Sequence, residues 1–134
     1  MTIRYANRAD TSLLLSHDRH VTQGELLYSI GRNQVLMLFE EETFAGWLRY
    51  HLFWSHIPFM DMLFFLEEYR GRGLGGKLTA FWESEMKAQG YKRVMTSSRS
   101  DERGQFFYRK HGYVDCGAWL LPGEPLEIFF YKDI

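Results

Sequence analysis

The feature that most restricts this chain is a change of period between residues 59 and 86. Phe59 to Leu66 is an apolar run of strand length, interrupted only by Asp61. It leads directly into Glu68-Tyr69-Arg70-Gly71-Arg72-Gly73-Leu74-Gly75-Gly76-Lys77. Beyond that, Leu74, Leu78, Phe81, Trp82 and Met86 recur at helical spacing, with Glu83 and Lys87 one turn apart on the polar side. Glycines in the connection allow positive φ and close approach of the backbone to a ligand. The helix start adds N–H groups without partners and the positive end of a dipole, which together attract an anion. Arg70, Arg72 and Lys77 add formal charge, so a phosphate group is the natural ligand. A tight turn with solvated arginines would explain the glycines but not the charge.

Around this junction the pattern predicts a strand near Ile3–Tyr5 and a helix over Leu13-Leu14-Leu15 with Asp10 as N-cap. Thr22 and Glu25 have capping-box spacing for a second helix running to about Ile30. Val35–Phe39, Phe44–Trp54 and Phe59–Leu66 read as three strands in an antiparallel meander. After the amphipathic helix, Gly90 supplies a stop and Arg93–Ser97 a short strand. Asp101 is the expected N-cap of a helix carrying Phe106, Phe107 and Tyr108. Tyr113–Leu120 and Leu126–Lys132 form a closing hairpin. The order is β-α-α-β-β-β-α-β-α-β-β, an α/β (α+β) chain whose first half is largely antiparallel.

With 134 residues, 46% of them hydrophobic, the chain is of a size for one domain with a substantial core. Net charge is −1, which disfavours a dedicated nucleic-acid binder or a polybasic membrane clamp. The charges are nevertheless uneven: from Arg70 to Lys110 there are ten bases and four acids. A local positive field in a neutral protein suits a small anionic ligand. One cysteine, Cys116, permits no internal disulfide and too few thiolates for a zinc cluster, and it reads as a small buried residue. No apolar run has the length of a membrane span, and charges in Met1–Asp10 occupy the place of a signal peptide's apolar stretch. The expectation is a cytoplasmic protein without metal, since the five histidines show no ligand spacing.

Gly71-x-Gly73-x-x-Gly76 matches a dinucleotide fingerprint, but several strands precede it and no acid ends the next strand. A Walker loop fails as well, because Leu78 follows Gly76-Lys77. Arg70-x-x-Gly73-x-Gly75, by contrast, resembles the R/Q-x-x-G-x-G/A signature of the GNAT superfamily of acyl-CoA-dependent N-acyltransferases. Downstream, Asp101-x-x-Gly104-x-x-Phe107-Tyr108-x-x-x-Gly112-Tyr113 is similar to that family's N-x-x-A-x-x-F-Y-x-x-x-G-F, with Asp101 replacing Asn and Gly104 replacing Ala. The resemblance implies a single GNAT-like domain over residues 1–134. Its mixed, mostly antiparallel central sheet would have about six to seven strands, with helices on both faces.

It also implies acetyl-CoA as acyl donor. Arg70, Gly71, Arg72, Gly73, Leu74, Gly75 and Gly76 would hold the pyrophosphate, with Arg72 and Lys77 as charge partners and Asp101 as a further cofactor contact. Phe65 and Leu66 would pair with the pantetheine arm, and a backbone N–H there, at a β-bulge, would polarise the thioester. Tyr108 matches the tyrosine that donates a proton or hydrogen bond to the departing sulfur, and reads otherwise as a core aromatic beside Phe106 and Phe107; three adjacent aromatics cannot all face one side of a helix, which favours the first reading. Asp61 is the candidate base, a carboxylate in a buried-looking strand, equally readable as an acid paired with a neighbouring strand or reaching water; Glu127 is another candidate. Tyr28, Trp47, Tyr50, Trp54 and Trp119 read chiefly as core. The acceptor would be an amine on a small molecule or peptide, with a homodimer left open. A silent acyl-CoA sensor and a scaffold domain are the rival readings.

Overall fold

The computed structural model describes residues 1–134. The seven strands are β1 (Thr2–Tyr5), β2 (Val35–Glu40), β3 (Thr43–Phe53), β4 (Ile57–Phe65), β5 (Arg93–Arg99), β6 (Val114–Trp119) and β7 (Glu127–Asp133). They form one mixed sheet in the order β1-β2-β3-β4-β5-β7-β6. Four helices accompany it: α1 (Thr11–His17), α2 (Gln23–Gly31), α3 (Leu74–Ala88) and α4 (Gly104–Lys110). The α/β order expected from the sequence is the one observed. Two compact units make up the chain, Met1–His51 with Met62–Thr79, and Leu52–Asp61 with Ala80–Ile134.

In the first unit, β1 pairs antiparallel with β2, and β2 with β3. Leu14, Leu26, Ile30, Val35, Met37, Phe44 and Trp47 close its core. Thr22 caps α2 as its spacing requires, accepting the Glu25 N–H at 3.2 Å. Asp10 does not cap α1. Its carboxylate instead closes a capping box with Asn7 around the 3-10 turn Arg8–Asp10 and takes both terminal nitrogens of Arg4 at 2.8 and 2.9 Å. The Arg4 guanidinium holds Asp10 below the usual carboxylate range. The turn between β2 and β3 carries Glu41 and Glu42 at φ 49° and 67°, a two-residue hairpin bend of the primed type.

Among the buried polar residues of this unit, Asp18 is the carboxylate. Asp18 is 2% exposed and accepts from Arg49 Nε (3.0 Å), the Trp47 indole (3.3 Å) and the His20 amide (3.1 Å). A buried carboxylate is tolerated only when its oxygens are satisfied in this way. Asp18→Asn keeps the shape but removes the charge that Arg49 faces, and is expected to destabilise by about 1–2 kcal/mol. Urea unfolding checks it; a midpoint equal to wild type would show that the ion pair is not holding the α1–α2 segment to β3.

In the second unit, β5 pairs antiparallel with β7 over seven positions, and β7 with β6. Trp82, Met86, Val94 and Phe130 are fully buried. The single parallel contact is short: β4 meets β5 only at Phe59–Met95 and Met60–Thr96. Asp61 and Ser97, the next residues on each strand, fall outside that register. The β6–β7 register slips between Asp115 and Gly117, so Cys116 sits on a bulge of an edge strand and is exposed, not buried as expected. Tyr28, Trp54 and Trp119 are likewise 60%, 73% and 52% exposed, whereas Trp47 and Tyr50 are core. β-propensity and aromaticity alone do not say which face of a strand or helix is covered.

Candidate active site

The glycine loop forms as the residues require. A 3-10 turn, Glu67–Tyr69, follows β4, and Gly71 and Gly73 then take φ values of 72° and 77° before α3 begins at Leu74. A Cβ built on either glycine would point into open space. Their role is therefore conformational: they turn the chain without a side chain covering the helix start. The first intrahelical bond recorded for α3 is Lys77 N–H to Gly73 C=O at 3.2 Å. Helix geometry leaves the N–H groups of Leu74, Gly75 and Gly76 without carbonyl partners inside α3. Gly71, Arg72, Gly73 and Lys77 are exposed, and Leu74 is buried beneath them.

Three of the ten bases between Arg70 and Lys110 have recorded carboxylate partners. Arg93 pairs with Asp133, Arg99 with Asp101 and Glu102, and Arg109 with Asp115. Arg72 and Lys77, at the helix start, form no ion pair. Arg72 lies over the Tyr69 ring at 5.3 Å. Arg70 behaves differently from its neighbours: Nε donates to the Phe65 carbonyl at 2.8 Å, and its guanidinium covers the Phe64 ring at 4.7 Å. It ties the loop back to the end of β4.

That strand end is set by β3. The β2–β3 register passes from Leu38–Gly46 to Phe39–Phe44, skipping Ala45, whose carbonyl accepts the Leu66 N–H at 2.9 Å. The Leu66 amide is thus already bonded and is not the carbonyl-polarising donor expected at Phe65 or Leu66. The bulge recorded here lies on β3, at Ala45. Gly46 beside it is a close-packing position that the sequence does not single out. A Cβ there would overlap the Phe65 ring at Cδ1 and lie 2.6 Å from the Phe64 carbonyl oxygen. A lone glycine within an aromatic strand was the available signal.

Tyr108 is the buried member of the aromatic triplet, 8% exposed against 62% for Phe106. Its hydroxyl lies 3.9 Å from Met60 Sδ, and Thr96 Oγ1, its other polar neighbour, donates to the Met60 carbonyl at 3.0 Å. Met60 and Thr96 are the last pair of the parallel register, so the phenol stands where β4 and β5 part. Burial pushes the Tyr108 hydroxyl above its ordinary range, so it stays protonated at neutral pH. A Cβ on Gly104 would sit tightly against Ser98 Oγ at 3.2 Å and in ordinary contact with Tyr108 Cε2 at 3.6 Å.

The two acids depart from expectation. Asp61 is exposed, so the desolvated setting that suggested a base is absent. Asp101 does not cap α4, whose N-cap position is Arg103; its carboxylate binds the Arg99 guanidinium at 2.9 and 3.1 Å. No group of three or more His, Cys, Asp and Glu side chains is placed to hold a metal ion. A cavity of about 780 Å³ lies at the other end of α3, lined by Lys87, Tyr91, Arg93 and Ile134 among others, and shares no residue with the loop.

The sequence profile described as "Acetyltransferase (GNAT) family" matches residues 5–113, and the chain belongs to that family. No curated protein matches the sequence significantly. Among solved structures it is similar to Ard1 from Thermoplasma volcanium, at 17% identity and a TM-score of 0.85, covering 99% of this chain and 97% of that one. The PaiA N-acetyltransferase of Thermoplasma acidophilum, solved in complex with coenzyme A, gives 18% identity, a TM-score of 0.82 and coverage of 99% and 98%. The ribosomal-protein-S18-alanine N-acetyltransferase of Escherichia coli gives 14% identity, 0.83, and coverage of 99% and 93%. At such identities the likeness is one of fold.

Proposed function

We propose that residues 1–134 act as one acetyl-CoA-dependent N-acetyltransferase domain working in the cytoplasm. The reading rests above all on the start of α3, where Leu74, Gly75 and Gly76 present amides behind two uncovered positive-φ glycines. That cradle fits a diphosphate: fixed N–H donors, a helix dipole and the unpaired cations Arg72 and Lys77. A PaiA relative of the same fold was solved with coenzyme A, which supports the same ligand here.

In the proposed reaction a primary amine, in its neutral form, attacks the thioester carbonyl carbon directly. The C–N bond forms, the C–S bond breaks, and the thiolate takes the proton of the Tyr108 hydroxyl. The amine nitrogen gives up a proton to water, and solvent returns one to the Tyr108 phenolate, so the products are the amide and the free thiol and the phenol ends protonated. The Phe65 N–H is the proposed donor to the developing oxyanion, fixed by the Arg70 contact to the same residue's carbonyl. Asp61, four residues earlier on β4 and exposed, suits a carboxylate that passes the amine's proton to water. Asp101 enters this reading as a neighbour of the cofactor only through Arg99, which it holds in place.

Titration with coenzyme A followed by thermal unfolding tests the binding step. Arg72→Glu is expected to raise Kd about tenfold, since one charge-assisted contact is replaced by repulsion worth about 1.4 kcal/mol. An unchanged Kd would remove Arg72 from the site. Release of free CoA thiol in the presence of amines separates an enzyme from a silent sensor.

A further inference from the structure

The second unit contains a polar cluster that the proposed reaction does not use. Glu83, on the polar side of α3, is mostly buried and has both carboxylate oxygens taken. Oε2 accepts the Tyr113 hydroxyl and Oε1 accepts Lys132 Nζ, each at 2.8 Å. Side-chain exposure is 13% for Glu83 and 28% for Lys132, and Tyr113 is 3% exposed. Lys132 Nζ also lies 5.6 Å from the centre of the Tyr113 ring. Gly112, at φ 89°, bends the chain into Tyr113, and the Lys132 stem passes 3.4 Å from where its Cβ would be. Three elements distant in sequence thus meet on one phenol.

That phenol borders Tyr108. The two rings stand edge to face with centroids 5.7 Å apart, and the Tyr113 amide donates to the Tyr108 carbonyl at 3.0 Å. Phe130 contacts the Tyr108 ring at 5.9 Å, two residues before Lys132 on β7. Tyr108 therefore has its ring orientation set by Tyr113, Phe130 and Phe107 on its own helix, while its hydroxyl reaches only a weak thioether acceptor and Thr96. Weak contacts at the hydroxyl leave ring packing as the main determinant of where that oxygen sits. The ring of Tyr113 is in turn anchored by a charged acceptor, the stronger class of hydrogen bond.

We infer that Glu83, Lys132 and Tyr113 form a positioning device for the proton donor: the Glu83 carboxylate, balanced by Lys132, fixes the Tyr113 ring, and that ring aims the Tyr108 hydroxyl. The inference rests on the reading of Tyr108 as the group that protonates the leaving thiolate. Proton transfer needs a heavy-atom approach near hydrogen-bond length, and a displacement of about 1 Å can cost on the order of 10²-fold in rate. Loss of the anchor alone, with the ring still packed, is therefore expected to slow turnover by roughly five- to tenfold.

The test is a double-mutant cycle on kcat with Tyr113→Phe and Tyr108→Phe. Tyr113→Phe removes one hydroxyl and keeps the ring; Glu83→Gln, which keeps an acceptor for Tyr113 but loses the charge, serves as a second variant. Each is expected to lower kcat while leaving the KM for acetyl-CoA unchanged. In the Tyr108→Phe background Tyr113→Phe should cost nothing further, because the hydroxyl it aims is gone, whereas its effect on melting temperature should add as usual. Effects on kcat that multiply would overturn the inference, as would wild-type kcat for Tyr113→Phe beside a slow Tyr108→Phe. Wild-type kcat for Tyr108→Phe itself would instead overturn the assignment of the proton donor, and the positioning role with it.

Discussion

Gly46→Ala is expected to lower the melting temperature by roughly 10 °C and to abolish most activity in the protein that still folds. The added methyl would overlap the Phe65 ring and stand 2.6 Å from the Phe64 carbonyl oxygen. A ring can swing aside, but a carbonyl of β4 cannot move without the strand. Phe64 is further held from two directions, by the Trp47 ring at 5.3 Å and the Arg70 guanidinium at 4.7 Å. Overpacking of this kind costs typically about 1–3 kcal/mol, and the backbone contact puts Gly46 at the upper end. For a chain of 134 residues that amount corresponds to roughly 3–4 °C per kcal/mol. The displaced strand end carries the Phe65 amide proposed to face the thioester carbonyl, so activity falls with stability. Circular dichroism melts and CoA-release rates on the same sample check both. A melting temperature within about 2 °C of wild type would mean that β4 yields freely, and the tight β3–β4 fit at Phe65 would have no consequence.

Gly46 also marks the limit of what the sequence discloses. The loop from Arg70 to Lys77 was readable because its chemistry is local: glycines, cations and a helix start lie within ten residues, and the structure folds them as spacing demands. Thr22 as a cap and the closing β6–β7 hairpin were readable for the same reason. Features made by distant segments were not. Strand β7 inserts between β5 and β6, and the parallel β4–β5 contact lasts two residue pairs; neither leaves a trace in local periodicity. Asp61 looked desolvated because its neighbours in sequence are apolar, yet it lies just past the end of the parallel register, where its side chain reaches solvent. Asp101 has the spacing of a cap, but a two-residue bond to Arg99 is shorter-ranged and charge-assisted, and it wins. Tyr113 matched the end of a motif in which the usual residue is Phe; only the fold reveals that its hydroxyl has a carboxylate waiting thirty residues back in the chain, at Glu83.

Removing the hydroxyl of Tyr108 is expected to have the largest effect on catalysis at the smallest cost to the fold. Tyr108→Phe keeps the ring that packs against Phe107, Tyr113 and Phe130. The lost contacts are a 3.9 Å approach to Met60 Sδ and the neighbouring Thr96 hydroxyl, and Thr96 keeps its own bond to the Met60 carbonyl. Stability should therefore change by less than about 1 kcal/mol. A positioned general acid contributes typically about 10²–10⁴-fold, so kcat should fall by at least roughly 10²-fold while coenzyme A still binds at wild-type Kd. The pH dependence carries the sign. Burial disfavours the charged phenolate and moves the hydroxyl's titration above its ordinary value of 10.0. A donor raised in this way keeps its proton as the solution becomes alkaline, so the wild-type rate should not fall from pH 7 to about 9.5. Stopped-time assays across that interval, run on both proteins at saturating donor and acceptor, provide the check. Wild-type kcat for Tyr108→Phe would show that the thiolate leaves without a protein proton. An alkaline fall in the wild type that Tyr108→Phe lacks would show that the phenol titrates in the accessible range, contrary to its burial.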